Sequence, residues 1–309
     1  MKLLLGLLFS FLFLSCSTPT HKNHLETPEQ KEQPSEKQTT IPFKDIVKET
    51  WGLFDTVHRK VIVAAIYDRI YPFNNGGYPV QKRNAMGIID QQGQVLLPIN
   101  YQSILDFGDV FIVRKDGLSA ALDKNLKPIL PLAYPDIKYN DGLFIVQKDD
   151  KYGIFNKNKD VLIPFEYDVL GKYDDFFNNL IFAEKDRKQG LINEHNQAII
   201  PVKYDFIVMM GQEYVAVQQD GKFGIYDYKG NIVLQIKWQD LKYLGHSLFA
   251  VKDDTGLFGV LNHKGKVILP FKYKSIECFD NDILTYLGKN NYEAIHLNTK
   301  KIVTASLMP

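Results

Sequence analysis

The composition of the chain excludes several classes of protein. It has 309 residues, 45% hydrophobic and 24% charged, which is typical of a globular domain and not of a disordered or fibrous one. Its 37 Lys and Arg residues balance 36 Asp and Glu, and a net charge of +1 provides no long-range attraction for nucleic acid. The two cysteines, Cys16 and Cys278, cannot form a disulfide framework or a four-thiolate zinc site. We therefore expect no nucleic-acid partner, no metal and no cofactor.

The first 16 residues form an apolar segment with one early positive charge, Lys2. The segment is shorter than the roughly 20 residues that span a bilayer, and it has the length of a secretory signal. Its last four residues, Phe13-Leu14-Ser15-Cys16, resemble a bacterial lipobox. The resemblance implies a lipoprotein signal peptide over residues 1–15 and a palmitate-type lipid anchor on Cys16, where two or more acyl chains give stable membrane attachment. An ordinary cleaved signal and a buried core cysteine are the alternatives.

Residues 16–40 are predicted to be a disordered tether behind the lipidated cysteine. After Cys16 the segment has one aliphatic residue, Leu25, among prolines, glutamates and lysines, so it cannot form a core. A flexible coil of this length holds the folded part about 25 to 30 Å from the membrane. The acidic residue that directly follows the cysteine in inner-membrane lipoproteins is absent, because the first one is Glu26. We expect an outer-membrane lipoprotein of the bacterial cell envelope, on the periplasmic or surface face.

Residues 41–309 repeat one pattern at intervals of 33 to 37 residues. Its marker is a small residue, Gly or Ala, that usually follows a large side chain. The eight copies are Trp51-Gly52, Met86-Gly87, Ser119-Ala120, Tyr152-Gly153, Gln189-Gly190, Phe223-Gly224, Phe258-Gly259 and Glu293-Ala294. A period of this size indicates a repeat architecture in which each unit buries one face on its neighbours.

Three other positions recur in phase with the marker. An Asp or Asn follows three residues later in seven copies, which is typical of a turn after a strand. Further along comes a proline, replaced by Val63 in the first copy and Gln235 in the sixth, and then an aromatic residue. The prolines are Pro98, Pro131, Pro164, Pro201 and Pro270, and the aromatic residues, called corner aromatics below, are Tyr67, Tyr101, Tyr134, Tyr167, Tyr204, Trp238 and Tyr273. We interpret this spacing as a tight or 3₁₀ corner entered through a proline that ends the preceding strand.

The pattern predicts an all-β fold. Runs of four to six β-branched and aromatic residues lie between Gly, Asn and Asp clusters, and no long stretch keeps a helical period. We predict a tandem array of about seven and a half three-stranded antiparallel units of roughly 35 residues. An open, solenoid-like superhelix is favoured. The alternative is a closed, seven-bladed propeller-like ring, in which an additional strand at residues 43–48 pairs with the half unit at the end of the chain.

The recurring small residue and the corner aromatics have structural interpretations. Because two copies carry Ala, we attribute the small residue to a lack of space and not to a positive φ; another backbone or a neighbouring aromatic ring then packs against its Cα. The corner aromatics and the large residue before the marker, such as Trp51, are expected to fill the space between units. An exposed row of them would instead indicate ligand stacking.

The phased motifs resemble the WG-repeat (KWG) family of bacteria over residues 44–303, and with the lipobox the chain is similar to a lipoprotein of that family. The motifs are the aromatic-Gly pair followed by two aliphatic residues and Asp, the Asp-x-x-Gly turn, and the I-x-P-x-x-Y corner. Copies three and five depart from the pair, with Ser119-Ala120 and Gln189-Gly190. The resemblance implies an architecture and brings no catalytic residues with it.

Other chemistry has weaker support. Asp254-Thr255-Gly256 is the aspartic-protease triplet without the second copy that such an enzyme needs, and it falls on a turn between strands. The Asp/Asn-x-x-Gly turns lack the alternating oxygen ligands of a calcium loop, and the seven histidines show no metal-binding spacing. A glycosidase is an alternative hypothesis, built on acidic residues at non-equivalent positions: Asp109, Asp174, Asp175, Glu184 and Asp186.

The sequence therefore favours a membrane-tethered, non-enzymatic binding module with no catalytic or metal-binding residues, whose partner is a protein or a glycan of the envelope. A repeat surface can bind a partner without a catalytic pocket. The alternatives are an envelope polysaccharide hydrolase and a purely structural lipoprotein.

Overall fold

A computed structural model describes residues 39–72, 74, 76–172, 180–279, 282–288, 291–296 and 302–306. The signal peptide, Cys16 and nearly all of the tether, which were predicted from the sequence, lie outside these residues, as do Asp174 and Asp175. Within the described residues every regular element is a β-strand, and none of the eight antiparallel sheets is closed into a barrel. The fold class predicted from the repeat is therefore confirmed: the protein is an all-β tandem array of the solenoid or propeller-like kind.

The strands are short, from two to eight residues. In chain order they are β1 Thr40–Asp45, β2 Thr50–Asp55, β3 Lys60–Tyr67, β4 Arg69–Ile70, β5 Tyr78–Lys82, β6 Ala85–Ile89, β7 Val95–Tyr101, β8 Ser103–Asp106, β9 Val110–Lys115, β10 Leu118–Asp123, β11 Pro128–Tyr134, β12 Asp136–Asn140, β13 Leu143–Lys148, β14 Lys151–Asn156, β15 Val161–Tyr167, β16 Val169–Lys172, β17 Ile181–Lys185, β18 Lys188–Ile192, β19 Ala198–Tyr204, β20 Phe206–Met210, β21 Tyr214–Gln219, β22 Lys222–Asp227, β23 Ile232–Trp238, β24 Asp240–Tyr243, β25 Leu248–Lys252, β26 Phe258–Asn262, β27 Val267–Tyr273, β28 Ser275–Phe279, β29 Asp282–Gly288, β30 Asn291–His296 and β31 Ile302–Ser306.

The described chain forms two compact units. The N-terminal unit contains residues 39–172 with 194–196, and its sheets are β1–β3, β4–β7, β8–β11 and β12–β15. The C-terminal unit contains residues 180–193 and the described residues from 197 onwards. Its complete sheets are β20–β23, β24–β27 and β28–β31, and β17, β18 and β19 also pair in order.

The repeating sheet has four strands and not the three that we predicted. The third strand carries the small marker residue, and the fourth strand ends on the corner aromatic. The first strand begins two residues after the corner aromatic, as at β20, and pairs with the second. We missed it because it is only two to five residues long, too short for a periodic signal. The sheet of β1–β3 has three strands, and the predicted half unit at the end of the chain is a complete sheet.

The strand predicted at residues 43–48 is β1, which begins and ends earlier, at Thr40 and Asp45. It pairs with β2 and is the first strand of the first sheet. Two side chains hold it against the next sheet. The amide oxygen of Gln91 accepts hydrogen bonds from the Thr39 backbone N–H at 2.8 Å and from the Thr39 hydroxyl at 3.2 Å, and the Tyr78 hydroxyl donates to the Thr40 carbonyl. The end of the tether is thus fixed to the folded part by buried and partly buried polar contacts.

The marker glycine lies opposite a bulge in the fourth strand. In β22 and β23, Phe223 pairs with Trp238 and Ile225 with Leu234, so one residue of β22 faces three of β23. A Cβ on Gly190, the equivalent residue of β18, would lie 2.6 Å from the Ile200 carbonyl oxygen and 2.7 Å from that of Pro201. Lack of space is therefore the cause, as we predicted, but much of the crowding comes from the adjacent strand of the same sheet and not from a neighbouring unit.

The recurring proline does not end a strand. Pro98, Pro131, Pro164, Pro201 and Pro270 all lie inside fourth strands, within the bulge. A bulge on an edge strand leaves a residue without a ladder hydrogen bond, so the missing N–H of proline is tolerated there. In the first copy, the turn before β3 has one additional residue, which is why Tyr67 comes one place late and why Ala64, not Val63, occupies the proline position.

The core lies between successive sheets. One cluster joins Leu234 and Trp238 of β23 to Leu241 and Phe249 of the following sheet, and each of the other clusters likewise draws on neighbouring sheets. A single sheet of four short strands has too little apolar surface to be stable alone. Stacking successive sheets therefore supplies the burial that each repeat lacks.

Candidate functional site

Each complete sheet has two ends with different turns. At one end, in every complete sheet before β28–β31, the third and fourth strands are joined by a turn that begins with the recurring Asp or Asn. In β22 and β23, one carboxylate oxygen of Asp227 accepts the backbone N–H of Lys229 at 2.9 Å and that of Asn231 at 2.8 Å, while the other oxygen accepts the Asn231 side-chain amide at 2.8 Å. We call this end of the sheets the Asx-turn surface. The recurring carboxylate shapes the hairpin and is not free for a ligand.

The opposite end, at the corner between sheets, is occupied by ion pairs. Lys188 pairs with Asp205, whose second oxygen accepts the backbone N–H of Asp220 at 2.8 Å, and Lys151 pairs with Asp168 at the equivalent positions of an earlier repeat. The Lys188 ammonium and the Asp220 N–H lower the pKa of Asp205 below its usual value. These pairs are partly exposed, so they orient the corner and contribute little to stability.

The corner aromatics, together with the marker glycines, are the repeat positions that the sequence singled out, and the structure places them in the packing between sheets. Tyr67, Tyr167, Tyr204, Trp238 and Tyr273 are buried, and Tyr101 and Tyr134 are half-buried. Their contacts reach the next sheet. The hydroxyls of Tyr204 and Tyr226 share a hydrogen bond of 2.6 Å, Tyr273 donates to Glu293 at 2.8 Å, and Trp238 stacks on Phe271 at 5.6 Å between ring centroids.

Of the glycosidase candidates, Asp174 and Asp175 lie outside the described residues, and two of the others are engaged in local contacts. Asp109 contacts Lys157 and Tyr139 in the N-terminal unit, whereas Glu184 accepts a hydrogen bond from Gln189 in the C-terminal unit. Asp253, which precedes the protease-like triplet, accepts the backbone N–H groups of Thr255 and Leu257, and so acts as a turn former. Among the described residues, no three His, Cys, Asp or Glu side chains are grouped as a metal ion would need.

The N-terminal unit has a closed polar cluster on its Asx-turn surface, between the sheets β8–β11 and β12–β15. The carboxylate of Asp109 pairs with the Lys157 ammonium and accepts the Tyr139 hydroxyl at 3.0 Å. Burial raises the pKa of Asp109, but the two hydrogen bonds outweigh burial and lower it; the same hydrogen bond to Asp109 raises the pKa of Lys157. All three side chains satisfy one another.

The same three repeat positions recur in the C-terminal unit, between the sheets β20–β23 and β24–β27, as Glu213, Tyr243 and His263. Here the cluster is open. The equivalent of Lys157 is His263, which is exposed and has no partner in the described part of the chain. A groove of about 630 Å³ lies at this place and is lined by Glu213, Tyr228, Lys229, Ile232 and His263, among other residues.

One short chain of hydrogen bonds orients the acidic wall of the groove. Tyr214 donates to the Ser247 hydroxyl at 2.9 Å, and Ser247 donates to one oxygen of Glu213 at 3.4 Å. Burial raises the pKa of Tyr214, and the neighbouring Glu213 charge adds to the effect, so the tyrosine stays a donor. The other oxygen of Glu213 has no hydrogen bond from a described residue, and neither have the side chains of Gln212 and Lys229. The groove therefore offers an acceptor, a cation and an imidazole to a ligand.

Sequence reasoning missed this groove. The signal that could have found it is the comparison of turn residues at equivalent repeat positions, where Asp109 and Lys157 form an opposite-charge pair and Glu213 and His263 do not.

None of the described segments is a helix with the length and apolarity needed to cross a bilayer.

Comparisons with known proteins address the family and the fold. No curated protein matches the chain. Solved structures that resemble it include a eukaryotic initiation factor (10% identity, 87% of this chain and 85% of that one, TM-score 0.34), Hsv2p of Kluyveromyces lactis (13%, 77% and 97%, 0.32) and the WD40 β-propeller domain of Doa1 (12%, 73% and 90%, 0.26). These TM-scores are too low to carry a conclusion about this chain.

A family model described as a WG-containing repeat matches residues 51–84, 86–118, 121–152, 152–188, 190–223 and 258–291. The matches begin at or near the marker pairs, and the interval between 223 and 258 is the copy in which Gln235 and Trp238 replace the usual proline and tyrosine. Together the matches cover more than half of the sequence, so the chain belongs to the WG-containing repeat family.

Proposed function

We propose that the protein is a lipid-anchored, non-enzymatic interaction module of the bacterial cell envelope. In this proposal its C-terminal unit binds a protein partner through the groove lined by Glu213 and His263. The anchor rests on the lipobox-like residues that end at Cys16, and the binding role rests on the groove. The observation that carries the binding role is a comparison of equivalent positions. Asp109 and Lys157 pair with each other in the N-terminal unit, whereas Glu213 and His263 in the C-terminal unit do not.

A protein partner is favoured over a glycan because of the aromatic side chains. Sugar-binding surfaces need an exposed aromatic face, but the corner aromatics are used in packing, and the Tyr214 ring is 7% exposed. Among the described aromatic residues, the exposed ones are Phe107 and Phe206, and neither lines the groove. The groove instead combines an acceptor, a cation and the apolar side chain of Ile232, which is 51% exposed. Mixed walls of this kind suit a polypeptide.

Catalysis is not part of the proposal. Two carboxylates line the groove, those of Glu213 and Asp227, and both oxygens of Asp227 accept hydrogen bonds from its own turn. Glycoside hydrolysis needs two available carboxyl groups, one as acid and one as base or nucleophile. Of the two carboxylates in the groove, that of Asp227 is engaged in its own turn, so one carboxyl group, that of Glu213, is available.

The test compares groove variants with matched variants of the closed cluster. Cells would carry the full chain as wild type, as Glu213→Gln with His263→Ala, or as Asp109→Asn with Lys157→Ala. After chemical cross-linking of intact cells, we expect one envelope protein to be recovered with the wild type and with the Asp109 and Lys157 variant, and at least about tenfold less with the groove variant, as for loss of contacts worth about 1.4 kcal/mol.

Three outcomes contradict the proposal. One is recovery of the same protein with all three chains, and another is groove-dependent retention of purified envelope polysaccharide in place of a protein. The third is release of polysaccharide fragments by wild type but not by the Glu213 variant. The thermal midpoint of each variant, measured by circular dichroism, shows that the comparison is between folded proteins.

The anchor has a separate test. Incorporation of labelled palmitate and recovery in the membrane fraction are both expected for the full chain and both lost in Cys16→Ser. Membrane recovery of Cys16→Ser at the wild-type level contradicts the lipid anchor and leaves the groove proposal intact.

A further inference from the structure

The closed cluster of the N-terminal unit shows which chemical group fills this place in the repeat. Asp109 directly precedes β9 and holds the Lys157 ammonium, and Tyr139 donates its hydroxyl to the same carboxylate at 3.0 Å. The ammonium also lies 5.7 Å from the centroid of the Tyr139 ring. A lysine side chain of the chain itself therefore occupies the space between these two sheets.

The open cluster of the C-terminal unit keeps the acidic residue but lacks the lysine. Glu213 directly precedes β21 as Asp109 precedes β9, and among the four-stranded sheets of the structure these two alone have an acidic residue before the second strand. His263 follows the turn asparagine of β26 as Lys157 follows that of β14. No hydrogen bond or ion pair joins His263 to Glu213 in the described part of the chain.

The tyrosine of the cluster is also kept. Tyr243 comes 30 residues after Glu213, as Tyr139 comes 30 residues after Asp109. Each ring packs on the phenylalanine that pairs with it in the adjacent strand, with the same interplanar angle of 36°. These pairs are Tyr243 with Phe249 and Tyr139 with Phe144. The two clusters are thus alike in their acid and their tyrosine, and they differ at the position of the lysine.

The charges and the walls of the groove fit an additional ammonium group. Glu213 and Asp227 are its acidic lining residues and Lys229 is its basic one, so with a neutral His263 imidazole the lining has one negative charge in excess. Ser247 orients one oxygen of Glu213, and the other has no hydrogen bond from a described residue. Ile232 adds an exposed apolar wall, which the methylene groups of a lysine can cover.

We propose that the partner inserts a lysine side chain into this groove, where its ammonium binds Glu213 and takes the place that Lys157 has in the closed cluster. The inference rests on the function proposed above and specifies the residue that the partner presents. A hydrogen bond between an ammonium and a carboxylate is about twice as strong as one between neutral groups, so the lysine dominates the contact. Its methylene groups lie along Ile232.

The first experiment measures binding of a lysine probe to the full chain in detergent at about pH 8, above the ordinary titration range of histidine. The probes are Nα-acetyl-lysine methylamide and its norleucine analogue, which lacks the ammonium, at matched ionic strength. Histidines labelled with ¹³C at Cε1 report binding by NMR, and the His263 signal is identified by its loss in His263→Ala.

We expect the lysine probe to shift the His263 signal with a dissociation constant on the order of 1 to 10 mM. The norleucine probe should bind at least about tenfold more weakly, and Glu213→Gln should weaken binding of the lysine probe to a similar degree. Equal binding of the two probes overturns the inference. So does an undiminished shift in Glu213→Gln, or the absence of any shift up to about 100 mM lysine probe.

The second experiment fills the groove from within. His263→Lys supplies a lysine at the position equivalent to Lys157, and in the cross-linking assay described above it should lower recovery of the envelope protein at least about tenfold. The control, Gln92→Lys, adds the same charge at an exposed residue on the Asx-turn surface of the N-terminal unit and should leave recovery unchanged. Undiminished recovery with His263→Lys, or an equal loss with Gln92→Lys, overturns the inference.

The inference and the proposed function fail separately. Suppose that Glu213→Gln with His263→Ala loses the partner while the lysine probe does not bind and His263→Lys keeps the partner. The groove then binds a protein without a lysine, and only the inference is wrong. Binding of the lysine probe together with full recovery of the partner by the double variant contradicts the proposed function instead. Should His263→Lys fail to fold, as judged by its thermal midpoint, the probe experiment decides.

Discussion

The marker glycine gives the most quantitative prediction, and Gly190 is the clearest case. A Cβ placed on Gly190 lies 2.6 Å from the Ile200 carbonyl oxygen, 2.6 Å from the Val202 Cα and 2.7 Å from the Pro201 carbonyl oxygen. All three are backbone atoms, which cannot move aside as the end of a side chain can. Gly190→Ala must therefore shift the bulge of β19 or break it.

The magnitude follows from two opposing effects. Overpacking a well-packed site costs about 1 to 3 kcal/mol, and backbone contacts at 2.6 Å place Gly190→Ala at the upper end. Alanine recovers roughly 0.5 to 1 kcal/mol in a strand, because glycine loses more backbone entropy on folding. We expect a net loss of about 2 kcal/mol, and therefore a drop in thermal midpoint of about 4 to 8 °C.

Two other substitutions at equivalent positions give stability changes to compare with that of Gly190→Ala. At Gly259 the nearest atoms belong to the Phe271 ring, at 2.9 to 3.0 Å, so Gly259→Ala should cost less because a ring can shift. Ala120 occupies the same bulge register and is 4% exposed, so Ala120→Gly should lose about 1 to 2 kcal/mol from burial and backbone entropy. Urea unfolding followed by circular dichroism gives all three values. A neutral or stabilising Gly190→Ala would refute the crowding explanation.

Two further predictions concern buried polar groups. Burial and the Tyr226 hydroxyl raise the pKa of Tyr204 above its ordinary value of 10.0. The stability that depends on the neutral form of Tyr204 is therefore complete below pH 10 and is lost as the pH rises towards the folded-state pKa. Between pH 9 and 12 the free energy of unfolding should fall less in Tyr204→Phe than in wild type. Equal pH dependence of the two proteins would contradict this. Gln91→Ala removes the acceptor of the Thr39 N–H and should lower the free energy of unfolding by about 1 to 3 kcal/mol. Amide exchange should become faster in β1 but not in β27. Unchanged exchange in β1 would show that Gln91 does not hold this strand in place.

The repeat itself could be predicted from the sequence because its cause is local. The Asp or Asn three residues after the marker needs only its own turn, and Asp227 and Asn262 accept backbone N–H groups within four residues. The aromatic at the corner was likewise recognisable as packing, because it recurs in seven copies, and Tyr204 does contact Tyr226 of the next repeat. The regular spacing of these residues in the sequence was therefore enough to predict the turn and the packing position.

The predictions that were wrong concern features that depend on pairing between strands. Proline normally marks the end of a strand, and a bulge that accepts Pro201 inside β19 becomes visible only when β18 is laid beside it. The first strand of each four-stranded sheet is two to five residues long, which is too short for a periodic signal. The extra residue before β3 also escaped, because counting residues from Gly52 aligned Val63 with the prolines, whereas pairing aligns Ala64 with them.

The groove was hidden for a different reason. It depends on two turns of adjacent sheets, in which Glu213 and His263 are 50 residues apart in the sequence. Each residue is an ordinary polar turn residue when considered alone. Only the comparison with Asp109 and Lys157, which close the same space in the N-terminal unit, shows that an ion pair is missing.

The claim that the groove is the binding surface has one direct measurement. A photo-reactive amino acid introduced at Lys229, beside Glu213, should cross-link the full chain in living cells to a single envelope protein, and excess Glu213→Gln chain should fail to compete. The same amino acid at Lys124, on the corresponding turn of the N-terminal unit, should give no such product. Equal cross-linking from Lys229 and Lys124, or none from Lys229, would contradict the account.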